Sequence, residues 1–164
     1  MKKIVIKLGT GILSGEHGCI RTDRMAELAE SIAILGKEGV ETVIVSSGAV
    51  GLGMGKLAIK ERPKDLSLLR ACASIGQCRL MNAWSHSLEK AGLVASQVLL
   101  TRADFESRTR SKKVEETLSA LLKQKVIPIV NENDSVSDEE IKFGDNDVLS
   151  ALLASICQAD FLIV

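Results

Sequence analysis

The chain has 164 residues, enough for one domain with a substantial core, and its 21 basic residues balance its 21 acidic ones. That balance, with one Trp, three Phe and no Tyr, excludes a strongly basic nucleic-acid surface, an aromatic base-stacking platform and electrostatic attraction to an anionic membrane. Apolar residues at 46% and 13 glycines suit an α/β protein with tight turns. No apolar span is long enough to cross a membrane, and the first apolar run contains Lys7, so neither a signal peptide nor a transmembrane helix is expected. Cys19, Cys72, Cys78 and Cys157 show no CxxC spacing, and only His17 lies near a cysteine. No metal site is expected, and reduced cytosolic thiols are the default.

Residues 2–8 read as a buried strand and Gly9-Thr10-Gly11 as the turn leaving it. Glycines there let the backbone approach phosphate oxygens, although the GxxxxGK[ST] pattern of a Walker loop is absent. Lys7 is a cation inside an apolar strand and must reach a partner. The plain alternative is an edge strand from which Lys7 snorkels to water. Residues 11–20 form a polar loop in which His17 and Cys19 read as exposed. A helix capped by Thr22 or Asp23 runs to Leu35, with Met25, Leu28, Ala29, Ile32, Ala33 and Leu35 on its apolar face.

The second strand, Glu41 to Val45, runs directly into Ser46-Ser47-Gly48-Ala49-Val50-Gly51. Backbone amides at Gly48 and Ala49, beside the start of a helix, can bind a carboxylate, and the Ser47 hydroxyl can add one hydrogen bond. A serine hydrolase is disfavoured because the GxSxG elbow is missing and neither His17 nor His86 is placed as a base. Residues 51–55 are too rich in glycine for a good helix interior, which points to close packing or mobility. They lack the acidic residue and βαβ context of a nicotinamide site. After an exposed connection broken at Pro63, a helix runs from Ser67 through Gln77 toward Lys90. Its apolar side carries Leu69, Ala73, Ile75, Leu80, Met81 and Trp84, while His86 falls on the polar side.

Val94–Leu100 is a further strand, and residues 104–124 read as one amphipathic helix with mixed charges on its solvated face. The apolar run Val126–Val130 then stops at Asn131-Glu132-Asn133-Asp134. Pro128 argues against a central antiparallel strand, but the β-branched run fits a buried strand. Ten residues on comes a second polar knot, Gly144-Asp145-Asn146-Asp147, opening a helix to Cys157. Capping alone explains a lone DND string. Two knots of carboxylates and carboxamides after a buried strand point instead to a crevice at the carboxyl ends of the strands. There Asp134 would match an ammonium group, and Asn146 can both donate and accept. Ala159–Val164 begins one more buried strand.

The segments IVIKLGTGIL, VIVSSGAVGLG, ASIGQ, QVLLTRADFESR, IPIVNENDSVSDEEI and KFGDNDVLSA, in this order and spacing, resemble the amino acid kinase family over essentially the whole chain. The pair NEND and GDND is far more specific than any single glycine motif. Within the family the resemblance implies ATP-dependent phosphorylation of the γ-carboxylate of L-glutamate. The fold it implies agrees with the alternation of strands and helices: an αβα sandwich around a mostly parallel sheet.

By resemblance, Lys7 lies beside the transferred phosphoryl group, and Gly9 and Thr10 face the nucleotide. Ser47, Gly48, Ala49, Asp134 and Asn146 would hold glutamate. Which of Asp134 and Asn146 meets its ammonium and which its α-carboxylate stays open. Asp145 and Asp147 would orient the site, since a carboxylate nucleophile is already ionised at neutral pH and needs no base. From its position alone, Lys142 would be an accessory cation near the loop. Magnesium would travel with ATP, held by phosphates and water.

The implied partners are glutamate, ATP, a second copy of the chain in a homo-oligomer, and proline as feedback inhibitor, with neither nucleic acid nor membrane. The alternatives are a family kinase acting on N-acetylglutamate, aspartate, carbamate or a nucleotide, and a non-catalytic module binding glutamate or proline. Ending on Phe-Leu-Ile-Val, residues 1–164 read as a partial domain. In the family the part beyond such a strand supplies most of the nucleotide site, including a glycine-rich segment and a second phosphate-contacting lysine.

Overall fold

The computed structural model describes residues 2–13, 15, 19–137 and 146–164. The expectations for His17, Lys142 and Asp145 therefore lie outside the described residues. The elements follow as β1 (Lys2–Leu8), α1 (Thr10–Leu13), α2 (Thr22–Lys37), β2 (Val40–Ser46), α3 (Ala49–Lys56) and α4 (Leu66–Lys90). Then come β3 (Val94–Leu100), α5 (Ala103–Glu106), α6 (Arg108–Lys123), β4 (Val126–Glu132), α7 (Asn146–Ile156) and β5 (Phe161–Ile163). The strands form one sheet in the order β3-β4-β2-β1-β5, and every neighbouring pair is parallel.

The sheet is covered on both faces, and strand alternation decides which residue meets which layer. Val43 and Val45 join Val5 and Val130 against Val114, Leu118 and Leu122 of α6 and Leu149 and Leu153 of α7. Ile44 and Ile129 point the other way, against Met25, Ala29 and Ile32 of α2 and Leu80, Trp84 and Leu88 of α4. This is the expected αβα sandwich. Pro128 sits in an interior strand, but the β2–β4 ladder registers only at Ile44–Ile129 and Val45–Val130, beyond the proline. Its missing N–H therefore removes no rung between those two strands.

Four expectations are corrected. Residues 51–55 are helical, within α3, against the expectation of a poor helix interior, while the close packing expected of their glycines is present. A Cβ on Gly53 would overlap the backbone carbonyl of Cys72, and one on Gly76 would overlap that of Ala49, so α3 and α4 pack backbone to backbone. The single helix over 104–124 is two, because Ser107 turns extended (ψ 118°) and caps α6 by accepting from Arg110 N–H. The loop over 11–20 begins with the short helix α1. The last strand is exposed rather than buried. Among the described residues it pairs with β1 alone, and it leaves Phe161 57% and Ile163 51% exposed. β1 itself is flanked by β2 and β5, so Lys7 does not stand on an edge strand.

Candidate active site

A parallel sheet delivers all its strand ends to one edge, and the register brings Leu8 level with Ser46 and Leu100 level with Glu132. The residues just inside or beyond those ends are Lys7 and Gly9 from β1, Ser46 and Ser47 from β2, and Asn131 to Asp134 from β4. The first turn of α7 returns to the same edge with Asn146 and Asp147. Its inner face buries Leu149 and Leu153 against the sheet, and that packing holds its N-terminal end in place.

A chain of hydrogen-bonded amides crosses this edge. Asn146 Nδ2 faces Ser47 Oγ at 2.8 Å, Asn131 Oδ1 at 2.9 Å and the Ser46 carbonyl at 3.3 Å. Asn131 Nδ2 donates to Gln77 Oε1 at 2.9 Å, and Gln77 Nε2 donates to Gln97 Oε1 at 3.1 Å. Backbone groups fix the direction of the chain. The Glu132 N–H donates to Asn131 Oδ1, which sets that carboxamide. Reversing Asn146 would then oppose oxygen to oxygen at both Asn131 and the Ser46 carbonyl.

The donating half of Asn146 is thus committed within the protein. Its Oδ1 accepts no hydrogen bond from another described residue. Ser47, whose oxygen accepts from Asn146, keeps its proton for donation. Leaving Asn146, Asn131 or Gln77, all buried, unpaired would cost about 1–3 kcal/mol, so the arrangement is strongly specified. Below it, Trp84 Nε1 donates to Ser46 Oγ at 3.0 Å and pins the end of β2.

The Lys7 side chain is 11% exposed, and its ammonium lies 2.5 Å from Asp147 Oδ1, whose side chain is half exposed. The pair answers the need of a cation in an apolar strand for a counter-charge. Next to it, a Cβ built on Gly9 would lie 3.8 Å from Lys7 Nζ, an ordinary contact. Space against Lys7 therefore does not require glycine at that position. Thr10 starts α1 and is exposed. Gly48 adopts φ 108°, a left-handed conformation that glycine takes without strain, and caps α3 so that Ala49 is its first residue. The N–H groups at this helix start carry partial positive charge toward the edge.

Of the residues singled out from sequence, the structure joins Lys7 to Asp147 and Ser47 to Asn146, and sets Gly9, Gly48, Ala49 and Asp134 at the same edge. Asp134 lies in the turn that follows β4. Sequence reading gave no role to Gln77 or Gln97. The available signal was a glutamine on the inner face of α4 beside Ala73, Gly76 and Leu80, where a polar side chain needs a partner. Cys157 belongs to the opposite, structural end. Burial pushes its thiol up, partly offset by the Lys3 ammonium.

No group of three or more His, Cys, Asp or Glu side chains that could hold a metal ion occurs among the described residues. An ion carried by a triphosphate needs no such cage. Nor is any helix among them long and apolar enough to cross a membrane.

The model of the amino acid kinase family matches residues 2–164. The chain is 47% identical over 162 residues to the glutamate 5-kinase of Caldanaerobacter subterraneus subsp. tengcongensis, covering 99% of this chain and 44% of that one. It is 48% identical over 161 residues to a glutamate 5-kinase of Thermus thermophilus, covering 98% and 43%. For the glutamate 5-kinase of Clostridium acetobutylicum the values are 43% identity, 100% of this chain and 61% of that one. The chain therefore spans roughly half the length of these relatives. A parallel sheet ending in a lysine, a Ser-Gly turn and two Asn/Asp knots, matched from end to end by one family model, makes the chain a member of the amino acid kinase family.

Proposed function

We propose that residues 1–164 are the substrate-binding portion of a cytoplasmic kinase that transfers the γ-phosphoryl group of ATP to the γ-carboxylate of L-glutamate. The products are L-glutamyl 5-phosphate and ADP, and the reaction is the first step of proline biosynthesis. The observation that carries this reading is that the Lys7–Asp147 ion pair and the Ser47–Asn146 hydrogen bond converge on adjacent residues at the start of α7, at one sheet edge. The similarity to glutamate 5-kinases supports it.

ATP, when bound, supplies the phosphoryl group and brings Mg²⁺ with it. The acceptor-side roles and one phosphate-facing lysine fall to this chain. Lys7 faces the transferred group and neutralises charge developing on it, and Asp147 holds the lysine there. Ser47 and the Gly48 and Ala49 amides donate to a carboxylate of the acceptor. Asp134 and the Asn146 carbonyl oxygen are acceptors suited to its ammonium group. Gly9 and Thr10 lie where the nucleotide phosphates approach. The attacking carboxylate is ionised at neutral pH, so no base is assigned. Proline, which shares the ammonium and α-carboxylate, competes at the same site, and the enzyme works as a homo-oligomer.

The test uses a chimaera in which residues 1–164 replace the matching part of the Caldanaerobacter relative. Asp134→Asn in it should raise the KM for glutamate about tenfold or more, since a desolvated charge-assisted contact is lost. An unchanged KM would remove Asp134 from the ammonium site. Faster turnover with N-acetylglutamate than with glutamate would assign the acceptor differently.

A further inference from the structure

The turn after β4 has little apolar anchorage of its own. Val136 is 63% exposed. Within the turn, the Asn133 carbonyl accepts from the N–H groups of Val136 and Ser137 and from Ser137 Oγ, and Ser137 Oγ also reaches Glu132 Oε1. The Asn133 N–H donates to the Leu100 carbonyl at the end of β3 at 2.8 Å, and side-chain support comes from one face of α4. Arg70 Nη2 donates to the Ser137 carbonyl at 3.1 Å, Ser74 Oγ shares a 2.8 Å hydrogen bond with Ser135 Oγ, and Gln77 Oε1 accepts from Asn131.

Positions 70, 74 and 77 are spaced i, i+4, i+7, so one helix stripe meets the segment at its beginning, middle and end. Asp134 lies between the rungs. α4 is itself locked to α3 through Gly53 and Gly76, and α3 begins at the Gly48–Ala49 turn. One rigid helix pair thus references both halves of the acceptor site.

We propose that Arg70, Ser74 and Gln77 form a three-rung clamp that positions the Asn131–Ser137 segment and so sets the affinity of the Asp134 site for the amino end of the acceptor. All three are positioning residues, and the proposal rests on the glutamate-kinase reading. A turn held mainly by hydrogen bonds loosens when two of them go. The loss should appear in acceptor binding rather than in phosphoryl transfer at saturation, because Lys7 and Asp147 lie outside the clamp.

The test is the double variant Arg70→Met, Ser74→Ala. Gln77 is left intact because its loss would strand the buried Asn131 amide. On the 164-residue chain, amide hydrogen exchange at Val136 and Ser137 should quicken about tenfold, with residues 126–130 unchanged. In the chimaera, the KM for glutamate should rise about three- to tenfold, with kcat within about twofold and the KM for ATP unmoved. Arg70→Lys with Ser74→Thr, which keeps both donors, should restore most of the affinity. Unchanged exchange, or faster exchange with an unmoved KM for glutamate, overturns the clamp. Absence of glutamate-dependent turnover in the unmodified chimaera overturns the proposed function instead, and the exchange result then decides the clamp alone.

Discussion

Lys7 and Asn146 show how much of a site is decided by what backs a side chain. Lys7 has a nearly buried ammonium whose partner, Asp147, remains half exposed. Replacing Lys7 by Met keeps the stem and leaves Asp147 free to hydrate, so the change should fall on chemistry and not on folding. The expected result in the chimaera is a kcat about 10²–10³ lower, with a melting temperature within a few degrees of the parent's. A kcat within threefold would remove Lys7 from the phosphoryl path. Asn146 is fixed by backbone groups at two removes, the Ser46 carbonyl directly and the Glu132 N–H through Asn131. The sequence allowed it to donate or accept. The fold commits its nitrogen and leaves its oxygen, a distinction that no spacing of residues contains.

At the scale of elements, the strands and amphipathic helices were legible because their periodicities are local. β1, α2, β3, β4 and α7 fall within one or two residues of expectation. What was not legible depended on pairs of distant residues. The helix over Ala49–Lys56 is poor by propensity and is stabilised by backbone contact with α4 that only glycine permits. Gly76→Ala should therefore destabilise by about 1–3 kcal/mol despite the better helix propensity of alanine, because the added methyl meets backbone and no rotamer can relieve it. Urea unfolding measures this, and an unchanged midpoint would mean that the helix pair can separate at no cost. The break at Ser107 is illegible in the sequence for the opposite reason. A serine inside a charged amphipathic run is compatible with helix until its hydroxyl is seen capping the next segment.

At the scale of the whole molecule, a single sheet edge gathers groups from four separate stretches of chain, and parallel topology alone makes them neighbours. The motifs NEND and GDND are separated in sequence yet meet through Asn131 and Asn146 at 2.9 Å. The far edge is different in kind. β5 is paired on one side and its apolar residues are exposed. In the proposed function, the phosphoryl donor is bound largely by sequence that the longer relatives possess beyond the matched region. In the same proposal the acceptor site belongs to these 164 residues, and the division can be measured. The most direct measurement is L-glutamate-dependent ADP release from ATP, run on the 164-residue chain and on the chimaera with the Caldanaerobacter remainder. Turnover by the chimaera, abolished by Lys7→Met and absent from the short chain, is the predicted result. A folded, ATP-binding chimaera that releases no ADP with glutamate would contradict the account.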